Sequence, residues 1–162
     1  MRIGEGVEWA IHCAELLAVL PPDASLPASR LAEFHGVRAP YLAKALQALT
    51  RAGITESVPG RKGGFRLARR PRDIRALDIV LAVEGDERAF RCTEIRRRGP
   101  SRVPARCYTP TCGIAAAMWR AEEAWRDSLA QTTLADLLAG LATTVPPEAA
   151  TKAVAWMQEV LP

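Results

Sequence analysis

Three clustered cysteines and one glutamate–histidine pair carry most of the chemistry this sequence can offer. Cys92, Cys107 and Cys112 share one stretch, with fourteen residues between the first two and four between the last two, while Cys13 stands far upstream. Around the three run Arg91, Arg96, Arg97, Arg98, Arg102 and Arg106. Neighbouring cations favour the thiolate, which is the form that ligates metal and reacts with oxidants. The spacing lacks the C-x2-C pairs of a zinc finger. From the residues alone three readings stay open: a metal or cluster site, a thiol redox switch, or inert thiols. Glu8 and His12 are four residues apart, so on a helix they project from one face, one turn apart, and can share a metal ion. A plain surface pair is the competing reading of that spacing.

The elements that must position these groups follow from periodicity. Residues 5 to 20 read as an amphipathic helix with Val7, Ala10, Ile11, Ala14, Leu17 and Ala18 toward a core, ended by Pro21-Pro22. It carries Glu8, Trp9, His12 and Cys13. Trp9 suits a packed or interface aromatic, and Cys13, about 100° around from His12, a small core residue. The cysteine stretch, residues 86 to 112, is broken by Gly99, Pro100, Pro104 and Pro110 and fits no period, as expected of a functional or disordered loop. Ile114 to Ala130 then reads as a long helix whose apolar stripe is Ile114, Met118, Ala121, Trp125 and Leu129. Such a stripe predicts a dimer interface, with packing inside the chain as the alternative. A short capped helix at Thr132–Ala139 and a terminal amphipathic helix at Glu148–Leu161 follow, separated by the linker signal Pro146-Pro147.

Between the first helix and the cysteines lies the most organised stretch. Residues 27 to 34, the Gly36 break and the helical pattern from Ala39 to Ala52 describe two helices and a tight turn. Leu42, Ala45, Leu46 and Leu49 form the apolar face of the second. Gly53 closes it, Ile54–Val58 and Phe65–Leu67 read as short strands, and Pro59-Gly60-Arg61-Lys62-Gly63-Gly64 is a basic turn between them. The fold class is therefore mainly α with a small β-hairpin wing: a winged helix-turn-helix plus a long dimerisation helix. Residues 30 to 72 hold ten Lys/Arg against two Glu, although the whole chain is only +4. Cations concentrated this way neutralise phosphates, and double-stranded DNA is the expected partner; a solvated face on a helical bundle is the plainer alternative. Tyr41, Lys44 and Gln47 are expected toward the groove, Ser29 and Arg38 toward phosphates, and Arg61, Lys62 and Arg66 at the wing.

At 162 residues and 49% hydrophobic content the chain can bury one core with a small appendage. The expected division is a winged helix-turn-helix over 1–85, a cysteine loop over 86–112, a dimerisation helix region over 113–145 and a C-terminal helix over 146–162. No apolar run approaches the roughly 18 residues that span a bilayer, so a soluble cytoplasmic protein with reduced thiols is expected. No nucleophile–base constellation, Walker loop or dinucleotide fingerprint occurs, which argues against an enzyme. An interaction module that does not bind DNA, or an enzyme, is the alternative from another class.

Several separated motifs, in order, resemble one family. These are Val7-Glu-Trp-Ala-Ile-His12, Pro40-Tyr-Leu42, Arg51-Ala-Gly53, Gly60-Arg-Lys-Gly-Gly-Phe65, Leu77-Asp-Ile-Val80 and Ala82-Val-Glu-Gly85. Together they resemble the IscR/NsrR/RsrR group of bacterial iron-sulfur transcription regulators over about residues 3 to 140. Val7-Glu-Trp-Ala10, His12-Cys13 and Cys92-Thr-Glu-Ile95 are most similar to the RsrR type. The resemblance implies a homodimer whose 2Fe-2S cluster modulates DNA affinity. Its ligands, carried over by position, are Cys107 and Cys112 with Glu8 and His12 of the partner subunit; Cys92 is the substitute and Trp9 a redox-coupled neighbour. Hard N/O ligands on one iron localise the electron there, and protonation of His12 can couple to reduction. A cluster-free, thiol-based or zinc-binding winged-helix regulator is the alternative within the class.

Overall fold

Proline and glycine punctuate the chain, and the elements between them follow the apolar spacing. The computed structural model describes residues 3–60 and 63–161. It divides into two compact units: one made from the chain up to Gly85 and from Leu129 onward, the other from Asp86 to Ser128.

The first unit opens with α1 (Glu5–Ala18), whose first turn carries Glu5 and Glu8, charges that suit the positive end of a helix dipole. Its buried face is Val7, Ala10, Cys13, Ala14, Leu16 and Leu17. Then come α2 (Ala28–His35) and α3 (Ala39–Arg51), joined by Gly36 at φ 64°. That left-handed residue lets the Val37 N–H reach the Ala32 carbonyl at 3.0 Å and turns the chain without a cap side chain. Pro40 sits in the first turn of α3, where its missing N–H costs nothing. The expected apolar face is fully inside: Leu42, Leu46 and Leu49 are wholly buried and Ala45 nearly so.

The wing is β1 (Thr55–Val58) antiparallel to β2 (Gly64–Leu67), paired Thr55 to Leu67 through Val58 to Gly64. Sequence reasoning missed a third participant. Leu26 bridges Phe65, exchanging N–H···O bonds of 3.1 and 2.8 Å, so the segment before α2 edges the hairpin. This close approach explains Gly64, where a Cβ would lie 2.3 Å from the Leu26 carbonyl oxygen.

Next, α4 (Ala76–Glu84) packs its buried Ala76, Ile79 and Val80 inward. After α5 (Gly113–Gln131), which begins in the second unit, α6 (Leu134–Thr144) and α7 (Pro147–Val160) complete the first. Thr133 caps α6 through a reciprocal box with Asp136, the capped helix the sequence announces. Two apolar clusters form the core. One joins Ala10, Ala14, Ala45, Leu49, Ile54, Ile74, Ile79 and Leu134. The other joins Cys13, Leu16, Leu17, Leu26, Leu31, Leu42 and Leu46, with Trp156, Met157 and Val160 of α7 against it. The role of the terminal helix, silent in the sequence, is thus partly packing: Trp156 packs at a tilt of 54° against Phe34, ring centroids 4.8 Å apart, and its indole N–H reaches Glu33 at 3.4 Å.

In the second unit, residues 86 to 112 form no regular helix or strand, only 3-10 turns at Ile95–Arg97 and Ala105–Cys107. The segment is nonetheless tied down. Glu122, only 8% exposed, accepts from the Ala89 N–H at 3.2 Å and from Arg126 at 2.9 and 3.1 Å. Arg126 also donates to the Asp86 carboxylate at 2.8 Å, and the Trp119 indole N–H donates to the Phe90 carbonyl at 3.2 Å. Trp119, Glu122 and Arg126 share one face of α5. The predicted stripe lies on another, where Ile114 is 66% and Met118 46% exposed.

Candidate nucleic-acid interface and cysteine loop

On α3 the residues left outside are those a groove-reading helix needs. With Leu42, Leu46 and Leu49 turned inward, Tyr41, Lys44 and Gln47 are exposed, Tyr41 to 55%. Arg38 at the N-cap and Ser29 in the first turn of α2 are exposed as well. Arg38 and Lys44 make no ion pair among the described residues, so their charge remains available for phosphate. The wing differs in one respect from expectation. Arg66 lies between Glu56 at 2.5 Å and Asp23 at 3.2 Å, and these carboxylates raise its pKa, the Glu56 hydrogen bond foremost. Its charge is largely compensated within the wing. Arg61 and Lys62, the other two expected wing contacts, lie outside the described residues.

The first helix presents a groove of about 410 Å³ lined by Ile3, Glu5, Val7, Glu8, Ile11 and His12. Glu8 and His12 therefore share the face that their spacing implies. His12 has a partner the sequence reading missed: its Nδ1 lies 2.9 Å from Oε2 of Glu15, a carboxylate only 9% exposed. A hydrogen bond from Nδ1–H to a buried carboxylate leaves the Nε2 lone pair free for a ligand, the arrangement that orients metal-binding histidines. Its i, i+3 position on the same helix was the available signal. His35 stands 5.9 Å from His12, its pKa lowered by burial and by the neighbouring imidazole.

On the other side of His12 along α1, Trp9 is half-buried and leans on Tyr41 of α3. Cys13 is fully buried, and desolvation pushes its thiol up to about 12. It is the inert core residue its position suggests.

In the loop, one arginine organises the thiols. Arg96 donates to both Glu94 oxygens, at 2.5 and 2.8 Å, and to the Pro110 carbonyl at 3.1 Å, with its guanidinium 5.3 Å from the Tyr108 ring centre. The Tyr108 hydroxyl donates to the Arg96 carbonyl at 2.5 Å and accepts from the Val103 N–H at 3.2 Å. Glu94 adopts a left-handed backbone, φ 50°, to turn its carboxylate into this knot. The Arg96 pKa is raised by Glu94 above all, and also by the field of Cys112 and Cys92. Cys92 and Cys112 are half-buried, while Cys107 is exposed. Cys112 precedes α5, and the N–H groups of Ala115 and Ile114, assisted by Arg96, lower its thiol pKa. Among the described residues no group of three or more His, Cys, Asp or Glu side chains gathers to hold a metal ion.

A two-helix reader, a hairpin wing and an exposed, uncompensated recognition helix define a winged helix-turn-helix transcription regulator. The Rrf2 family, described as iron-dependent transcriptional regulators, matches residues 3–140, and the chain belongs to it. It is 40% identical over 85 residues to the HTH-type transcriptional regulator YwgB of Bacillus subtilis, covering 52% of this chain and 54% of that protein. It is 34% identical over 145 residues to protein aau3 of Rhizobium meliloti, covering 85% of each. The chain thus spans about half the length of YwgB and most of aau3. Among solved structures, T. potens IscR superposes with a TM-score of 0.67 at 23% identity, over 90% of this chain and 92% of that one. CymR, the global cysteine regulator of B. subtilis, does so with 0.65 at 22% identity, over 86% and 97%. At those identities the likeness is one of fold. The family and these relatives are transcription regulators.

Proposed function

We propose that this regulator works as a homodimer whose DNA affinity responds to a 2Fe-2S cluster. The cluster would be held by two thiolates of one subunit and by Glu8 and His12 of the partner subunit. The hydrogen bond between His12 and buried Glu15 carries this reading. It supplies an outer carboxylate to an imidazole that otherwise stands at an open groove. The thiolate side also fits, because the backbone N–H groups of Ala115 and Ile114 at the start of α5, with Arg96, lower the Cys112 pKa and so favour the ligating form. Cys92 and Cys112 are half-buried in the loop while Cys107 is exposed, which favours the substitute assignment for Cys92. The exposed stripe through Ile114 and Met118 offers the apolar surface on which the partner subunit would dock.

When bound, the cluster supplies a one-electron couple. The chain's own residues do the rest. Glu15 orients the His12 ring through Nδ1, Trp9 carries displacements of α1 to Tyr41, and Lys44 and Arg38 meet phosphate.

Iron and acid-labile sulfide, measured with the visible spectrum on anaerobically purified protein, test the site. We expect about two irons and two sulfides per site in wild type and Cys107→Ala, with altered or lost clusters in Glu8→Ala, His12→Ala, Cys92→Ala and Cys112→Ala. Zinc or no metal in every sample removes the cluster and leaves the reader standing. One observation favours a second reading in that event: Cys112 has a lowered thiol pKa and Cys107 is exposed in the same loop, the attributes of a thiol switch.

A further inference from the structure

The arginines of the cysteine loop divide into two sets. Arg88 is paired with Glu123, Arg91 with Glu87, and Arg96 with Glu94. Arg97, Arg98, Arg102 and Arg106 are exposed and make no ion pair among the described residues. From Ile95 to Ala121 the sequence has no Asp or Glu at all, so no carboxylate within that run answers them. The thiols do not account for them either: the one cation that acts on Cys112 is Arg96, and Arg97 adds only a minor pull on Glu94. Arg97 and Arg102 instead line a groove of about 440 Å³ whose remaining walls are Val103, Pro104 and Ala105. Its shape is maintained from below, since Tyr108 binds both the Val103 N–H and the Arg96 carbonyl. Two planar guanidiniums beside an apolar wall suit a phosphodiester: the forks take the phosphate oxygens and Val103, 48% exposed, meets the sugar.

We propose that Arg97, Arg98, Arg102 and Arg106 form a second phosphate-binding surface that grips the backbone of the DNA the winged helix reads. The loop that carries the switchable thiols would then touch DNA itself. Repulsion among four uncompensated cations is tolerated in the free protein because they face water, and it is relieved when phosphate arrives. The inference rests on the chain being a DNA-binding regulator and would extend its footprint beyond α3 and the wing.

The test uses the full-length protein and a labelled 40-base-pair duplex, selected by the wild type from a random pool. Binding is measured from about 50 to 200 mM salt for wild type, for the quadruple variant R97Q/R98Q/R102Q/R106Q and for Lys44→Gln. The four glutamines keep length and polarity at positions without partners, and the visible spectrum and thiol count check that the loop is intact. The expected result is a log–log salt slope lower by about 0.9 for each phosphate no longer neutralised, hence by about 1.8 or more in the quadruple variant. An unchanged slope in that variant, with the Lys44→Gln slope reduced, overturns the inference while leaving the DNA reader in place. No duplex selected by the wild type would sink the DNA-binding reading itself, and the inference with it. Calorimetric titration with inorganic pyrophosphate in the absence of DNA separates the other source of phosphate. Uptake at 150 mM salt that the quadruple variant loses, with no change in its DNA slope, assigns the groove to a small phosphorylated ligand and rejects the DNA backbone.

Discussion

The indole of Trp9 and the phenol ring of Tyr41 lie with centroids 6.2 Å apart, tilted by 58°. This contact joins the helix that carries Glu8 and His12 to the helix that reads DNA. An aromatic pair of this geometry is worth about 0.5–1.5 kcal/mol beyond its burial. Replacing Trp9 by Ala should therefore lower stability modestly and, under the proposed redox response, bring the ratio of DNA affinities between oxidised and reduced protein toward one. Equal ratios in wild type and variant would remove Trp9 from the route of communication.

Lys44 is exposed on α3 without an ion pair among the described residues, so its contribution to DNA binding should be electrostatic. Lys44→Gln should weaken binding to matched and unrelated duplexes alike and reduce the salt slope by about 0.9. Loss confined to the matched duplex would make Lys44 a base reader.

Gly64 is required by the approach of Leu26. A methyl group there meets the Leu26 carbonyl oxygen at 2.3 Å, a clash with backbone that no side-chain rotation relieves. Gly64→Ala should cost about 1–3 kcal/mol in urea unfolding, the scale of overpacking, and weaken DNA binding through a displaced wing. A variant as stable as wild type would show that the Leu26–Phe65 bridge is dispensable.

The cysteines should separate by reactivity in metal-free protein. The Cys112 pKa is lowered, so its thiolate contributes stability above the ordinary thiol pKa, and that contribution is lost as pH falls through the lowered value. Over that window wild type should gain stability relative to Cys112→Ser as pH rises. Alkylation followed by mass spectrometry should label Cys112 at lower pH than a free thiol and leave Cys13, pushed up to about 12, untouched in the native state. Early labelling of Cys13 would mean that α1 opens.

Glu122 collects the loop onto α5. Glu122→Ala leaves the Ala89 N–H and part of Arg126 without acceptors, at a cost of about 1–3 kcal/mol. Amides near 86–91 should then exchange faster, while those of α3 keep their protection. Unchanged exchange would show that the remaining Trp119 and Arg126 bonds suffice.

The sequence was most legible where local spacing decides the outcome. The apolar period of α3, the glycine between α2 and α3, the hairpin turn residues and the Thr133 cap each depend on neighbours within a few positions; α2, α3 and the hairpin formed within a residue or two of expectation, while the capped helix, expected to end at Ala139, runs on to Thr144. The exposed stripe of α5 was readable for the same reason. The site was less legible. Glu15 was visible three residues from His12, yet its burial depends on how α1 packs. Arg96 was one of six arginines, and nothing local marked it as the one that would bind Glu94 and Pro110 and hold Tyr108.

By itself, then, the sequence determined a winged helix-turn-helix, the face of α3 turned outward and the helix face shared by Glu8 and His12, because these follow from 3.6-residue and two-residue periods. Only the tertiary structure decided that Leu26 would edge the wing, that Arg66 would spend its charge on Glu56 and Asp23, and that Trp9 would rest on Tyr41. Apart from the cross-strand Glu56–Arg66 pair, those are contacts between segments far apart in the chain. Their partners are chosen by packing and by the need to satisfy buried polar groups, which no local pattern encodes.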